Sequence, residues 1–351
     1  MTDRRFDRKD LLALALALLV RGGMARDKAE VVAELLVRTD ELGVTTHGIS
    51  MVPYYLPELE SGAMRSEGIH DVVRDSGVTQ VWDGRYLPGH WLMRQALESA
   101  MPRARSHGMT SIAIRRSHHI GCLSTLTRMA ADEGLVCMIM TSDPSGRWVA
   151  PYGGADPVLT PNPWAIGYPG GDHPVLIDTC ASITTVSKVR EHINTGTPFD
   201  HPWVLDGEGR PTTDANVVNR TPKGTILPVG GIDHGHKGFA MALMVEMFTQ
   251  ALAGHGRAEH PTRWGANVFL QIMDPEAFAG AGAFVTQVET LNDACRASRP
   301  AQGFTQVRIP GDRAAASLAE TAGNGVRVPD EVWNRVCASA HALQVGLPAP
   351  L

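Results

Sequence analysis

The chain has 351 residues, 43% of them hydrophobic and 20% charged, with a formal net charge of −5. That balance implies a globular protein with a large core, in one large domain or two intertwined ones. Both signs of charge are interspersed and no Lys/Arg block could follow a phosphate backbone, which argues against nucleic acid or a membrane surface as partner. The five cysteines, Cys122, Cys137, Cys180, Cys295 and Cys337, are scattered without a C-x-x-C spacing. That pattern excludes a disulfide framework and fits a reduced, cytosolic setting.

Near the start, "LLALALALLV" (Leu11 to Val20) follows Arg4, Arg5, Arg8 and Lys9 and mimics a signal peptide. Asp3, Asp7 and Asp10 dilute the basic region, and ten apolar residues are too few to cross a bilayer. The spacing predicts a core-facing helix over Leu11–Arg21, capped by Asp10. A second helix is predicted over Arg26–Leu42, with Ala29, Val32, Leu35 and Leu36 on one face, and a third over Pro53–Ser61.

From Val78 the pattern turns to β-rich runs at Thr79–Trp82, Thr110–Arg115, Leu135–Thr141 and Val175–Asp178. Helical patterns at Trp91–His107 and Leu123–Glu133 separate the first three, so the fold class is α/β. Pro151–Gly171 reads as a long loop, Phe239–Leu252 as a helix buried all round, and Gly254–Asn267 as a polar connection. Phe284–Ser298 and Asp330–Leu343 close the chain as helices.

No dinucleotide fingerprint is present. Gly280-Ala281-Gly282 comes nearest, but Val285 stands where the third glycine belongs, and there is no G-x-x-x-x-G-K-[ST].

Four segments carry residues suited to chemistry. His47, in "TTHGIS", sits between small residues after the second helix, where an imidazole can enter a cleft and transfer protons. His118 and His119, in "SHHIG", close a strand, and adjacent side chains diverge, so one of them faces a site. "GGIDHGHKG" (Gly230 to Gly238) places Lys237 between glycines ahead of the apolar helix, an arrangement suited to pyrophosphate. Asp178, Thr179, Cys180 and Ser182 end a strand and suit ribose hydroxyls, or simply cap the next element. His118, His119, Asp233, His234 and His236 leave a metal site open as an alternative.

The ordered segments "RTDELGVTTHGIS", "SHHIGCLSTLTRMA", "LTPNPWAIGYP", "VLIDTCAS", "GRPTTDA", "GHKGFAMALMVEM" and "RASRPAQGFTQVRIPGD" resemble the type-2 malate/L-lactate dehydrogenase family from about Leu11 to Val328. That family includes sulfolactate and ureidoglycolate dehydrogenases, diketogulonate reductase and piperideine-2-carboxylate reductase. The resemblance implies a homodimer that binds NAD or NADP in a non-Rossmann fold with a mixed sheet. It also implies a helical domain of residues 1–75 joined by C-terminal helices in 312–345, and a cofactor-binding α/β domain of residues 76–311.

By residue, the resemblance implies His47 and His119 as proton-transfer groups. Cofactor contacts fall on Ser142, on Asp178, Thr179, Cys180 and Ser182, on His236 and Lys237, and on Pro310, Gly311 and Asp312. Thr46 and Tyr55 fall in the substrate site. Met51 stands where an arginine that clamps a substrate carboxylate is expected. Either Arg115 or Arg116 takes that part, or the substrate lacks the carboxylate. The expected activity is hydride transfer between nicotinamide and a 2-oxo/2-hydroxy acid, a related ketone or a cyclic imine. A metal-dependent hydrolase or lyase, and a catalytically inactive ligand-binding relative, are the alternatives.

Overall fold

The protein is described by a computed structural model covering residues 3–351. Its centre is a seven-stranded sheet in the order Asp71–Asp75, Thr79–Asp83, Met109–Ser117, Ala266–Met273, Val136–Ser142, Pro163–Tyr168, Val175–Cys180. Thr79–Asp83 and Met109–Ser117 pair in parallel, and every other pair in the sheet is antiparallel. The sheet is therefore mixed, within an α/β architecture.

Ala266–Met273 occupies the middle of the sheet and escapes sequence reading. Its run "ANVFLQIM" is too evenly apolar to separate strand from helix by period alone. Val268, Leu270 and Ile272 face one side with Ile112, Ile114 and Ile139, where Leu97 and Ala100 of the helix Gly89–His107 and Leu126 and Ala130 of the helix Leu123–Ala131 cover them. Phe269 faces the other side with Met140 and Val245. This alternation is the period-2 signature of a strand covered on both faces.

The supposed loop over Pro151–Gly171 contains the strand Pro163–Tyr168, whose proline and glycine hide it. The helix read as buried over Phe239–Leu252 instead begins at Gly231, runs to Glu246 and continues as a π-turn to Ala251. Only one of its faces is buried, through Ala242 and Val245, while Leu243 is 50% and Met247 44% exposed.

The N-terminal helices Arg8–Arg21, Arg26–Glu41 and Val52–Glu60 share a core with the C-terminal helix Asp330–Ala342 through Leu14, Leu18, Val32, Leu36, Tyr55, Trp333 and Val336. Asp3–Phe6 pairs with Val326–Pro329 to seal that core. The first helix is capped by Asp7, whose side chain accepts from the Lys9 N–H at 2.7 Å; Asp10 lies inside the first turn, where its charge favours the helix dipole. Among the described residues no helix is long and apolar enough to cross a membrane.

Leu270 is fully buried between the two layers. Leu270→Ala should cost about 2–5 kcal/mol in chemical denaturation, and Asp7→Ala about 1 kcal/mol. Equal costs would show that the central strand is not the heart of the core.

Candidate active site

Two segments distant in sequence meet beside the Val52–Glu60 helix. The rings of His47 and His119 stack with centroids 5.7 Å apart and planes at 27°. Tyr55, buried on that helix, places its hydroxyl 2.8 Å from His119 Nδ1. Thr46 Oγ1 lies 2.9 Å from His47 Nδ1. The Nδ1 atoms of both rings are thus taken, leaving both Nε2 atoms for a substrate.

The backbone explains why His47 stays in place. Asp40, buried at the end of the second helix, accepts the Ile49 N–H at 2.7 Å, and a Cβ on Gly48 would lie 1.9 Å from its Oδ1. Any other residue at Gly48 would push the turn off that carboxyl group. Burial, with the neighbouring Glu41 charge adding to it, raises the Asp40 pKa well above the usual carboxylate range.

His118 is the fully buried member of its pair. Its Nε2 lies 3.3 Å from Glu58 Oε2, and Trp264 stands edge-on to its ring at 4.8 Å. Trp264 also tilts over His119 at 5.3 Å. Sequence reading missed both Trp264 and His90. His90 is 2% exposed, sits 5.9 Å from the Tyr55 ring, and has an Nε2 without a hydrogen-bond partner. A Cβ on Gly121 would lie 2.2 Å from that atom, so the glycine of "SHHIG" makes room for the His90 ring. Nothing in "PGHWLM" signals this, because the contact is long-range.

Burial holds this cluster neutral. It lowers the His47 pKa, lowers His119 well below the ordinary imidazole value, and brings His90 and His118 down to about 3. The neighbouring imidazoles add to the shift at His119.

Met51 is buried in the helical core with Tyr55, so no guanidinium stands there. Arg115 and Arg116, the other candidates for that part, both donate to Asp83, through Nε at 2.9 Å in each case, and Asp83 is 2% exposed.

The segments matched to cofactor binding gather around the last strand of the sheet. Asp178 Oδ2 accepts the Ser124 N–H at 2.8 Å, tying that strand to the helix that follows "SHHIG". A Cβ on Gly238 would meet Val229 N at 2.4 Å and Ala181 O at 2.8 Å, so this glycine lets the Lys237 segment lie directly on the Asp178–Ser182 segment. Pro310 accepts the Leu176 N–H at 3.0 Å, and Gly311, at φ +109°, presses on Pro174 O. Thr179, His236 and Lys237 are exposed beside these glycines.

Three side chains named for the cofactor are committed elsewhere. Ser142 is buried against Thr249 and Gln250 at 2.7 and 3.0 Å, and Ser182 donates to Thr184 O at 2.7 Å. Asp312 holds its own turn through the Ile309 N–H and pairs with Arg296 and His173. The Cys180 thiol faces Ser182 O at 3.3 Å. The helix start also differs from expectation, because Gly231–Lys237 is its first turns, with a kink at His234. Among the described residues no three His, Cys, Asp or Glu side chains are grouped to hold a metal, so His118 and His119 do not join Asp233, His234 and His236 in a metal site.

Buried imidazoles whose Nδ1 atoms are held by hydroxyls suit proton transfer, and the relatives of this chain make it a nicotinamide-dependent oxidoreductase. Residues 6–337 match the family model described as malate/L-lactate dehydrogenase, and the chain belongs to that family. It is 30% identical to an L-lactate dehydrogenase of Cupriavidus necator, over 95% of this chain and 97% of that one. It is 31% identical to a (2R)-3-sulfolactate dehydrogenase (NADP(+)) of Chromohalobacter salexigens, over 96% and 98% of the two chains. The fold superposes on a malate dehydrogenase of Entamoeba histolytica with a TM-score of 0.92 at 22% identity, covering 99% of this chain and 100% of that one.

Buried imidazoles at about 3 that titrate near 6.5 when unfolded make the unfolded state bind more protons between those values. Stability should therefore rise with pH across that window and fall on acidification, by about 1.4 kcal/mol per pH unit for each group. Thermal melts from pH 7 to about pH 5 should show this loss, and His90→Gln should flatten it. An unchanged slope in that variant would place His90 outside the titrating set.

Proposed function

We propose that the protein interconverts a 2-hydroxy acid and its 2-oxo acid, or a related ketone or cyclic imine and its reduced form, with NAD or NADP as hydride partner. The observation that carries this reading is the stacked His47–His119 pair with Tyr55 on His119 Nδ1. The bound cofactor supplies or accepts the hydride, and the chain's residues manage the proton and the orientation.

Tyr55 Oη has no other hydrogen-bond partner among the described residues, so we assign its O–H as donor to His119 Nδ1. That fixes the His119 proton on Nε2, where it donates to the substrate oxygen. His119, the more strongly depressed imidazole, acts as a neutral hydrogen-bond donor. His47, shifted less, exchanges the proton: as general base it takes the alcohol proton on oxidation, and as general acid it returns one on reduction. Thr46 orients its ring through Nδ1.

The cofactor would lie outside a Rossmann turn, along the glycine-lined backbone of Asp178–Ser182 and Gly230–Lys237. Lys237 would face its phosphates and the Asp178 carboxyl group a ribose hydroxyl, with Ser142, Cys180, Ser182 and Pro310 to Asp312 offering backbone. The exposed Leu243, Met244 and Met247 face supports a homodimer. The core shared by the first three helices and the last supports a helical domain of residues 1–75 with 312–345, against an α/β domain of residues 76–311.

A panel of 2-oxo acids, cyclic imines and neutral ketones, followed at 340 nm with NADH and with NADPH, tests the activity; no turnover of any member would end the proposal. His47→Ala should lower kcat by about 10²–10⁴-fold while leaving cofactor affinity unchanged. Because burial lowers its pKa, the acid limb of kcat/KM for oxidation should fall below pH 6.5 and vanish in that variant. A limb above 6.5, or one that survives in His47→Ala, would remove His47 from the proton step.

A further inference from the structure

The imidazole cluster is short of cations, and one guanidinium reaches it from elsewhere. Arg263 directly precedes Trp264, whose ring lies 4.8 Å from His118, 5.3 Å from His119 and 6.3 Å from Tyr55. Its Nε donates to Ala63 O at 2.7 Å and its Nη2 donates to Gly62 O, at the turn that ends the helix carrying Tyr55 and Glu58. The guanidinium carbon lies over the Tyr86 ring, 4.4 Å from its centroid.

Among the described residues Arg263 pairs with no carboxylate, since Glu58 faces His118, and its Nη1 has no hydrogen-bond partner. Its positive charge is felt within the cluster: burial raises the Glu58 carboxyl group and Arg263 opposes that rise, while at His118 Arg263 adds to the lowering that burial imposes.

We propose that Arg263 is the specificity-determining residue that receives the substrate carboxylate, in place of the guanidinium that Met51 does not supply. A guanidinium pinned along one edge by carbonyls and laid flat on an aromatic ring has already lost most of its rotamer freedom. Its open Nη1 edge is then a pre-set donor for a charge-assisted bond. Trp264, the residue next to Arg263, packs against both His118 and His119 and ties this donor to the imidazole cluster. This rests on the hydride-transfer reading of the same site and narrows it to substrates with an acid group next to the reacting carbon.

The test uses oxamate, an unreactive 2-oxo acid mimic, and oxamide, its uncharged counterpart. Each is titrated calorimetrically into wild type, Arg263→Gln and Arg263→Lys in the presence of NADH and, separately, NADPH. Wild type should prefer oxamate. Arg263→Gln should lose about ten- to a hundredfold in oxamate affinity while oxamide and cofactor affinities hold, with Arg263→Lys between the two.

A wild type without preference for oxamate would overturn the proposal. So would variants that melt lower but keep the wild-type oxamate-to-oxamide ratio, since a clamp on Gly62 and Ala63 alone affects only stability. If Arg263→Gln does not fold, the lysine variant decides by the same ratio. Because binding is read without turnover, an enzyme inactive on every substrate would sink the hydride-transfer reading while leaving this result standing.

Discussion

The hydrogen bond between Tyr55 and His119 joins the two halves of the site. Tyr55 belongs to the helical core and His119 to the end of a sheet strand, so the contact at 2.8 Å exists only when those two layers are correctly docked. Taking polar rings out of water is costly unless they remain neutral and bonded. The fold meets that requirement by stripping protons from the imidazoles and giving Nδ1 of each facing ring a hydroxyl. The depressed pKa values follow from that burial.

Much of this arrangement was legible in the chain. The residues flanking His47 and His119, and the family resemblance, single out both imidazoles and Tyr55, and the helices at each end follow from period, although Asp7 and not Asp10 caps the first. What was hidden depends on long-range contact. His90 and Trp264 carry no local motif, and each acquires meaning only when Gly121 and the Tyr55 helix arrive beside it. The central strand Ala266–Met273 was silent for a related reason, since a strand covered on both faces loses the alternation that marks it.

The apolar helix after Gly231 shows the opposite error. Its composition reads as core, yet Leu243, Met244 and Met247 lie on its outer face. Composition reports a need for burial without saying what provides it. The glycines beside that helix are more specific. Gly238 and Gly311 are each pressed onto backbone where no side chain fits, so the segments they join have a single way to meet.

The account stands on His119 being neutral, with its proton on Nε2 under the hold of Tyr55. Nitrogen-15 NMR of imidazole-labelled protein reads both the charge and the tautomer of that ring. The account predicts a neutral ring, protonated at Nε2, from pH 7 down to about pH 5 in wild type, and loss of the single tautomer in Tyr55→Phe. A ring that is already cationic near pH 6, or that carries its proton on Nδ1, would contradict it.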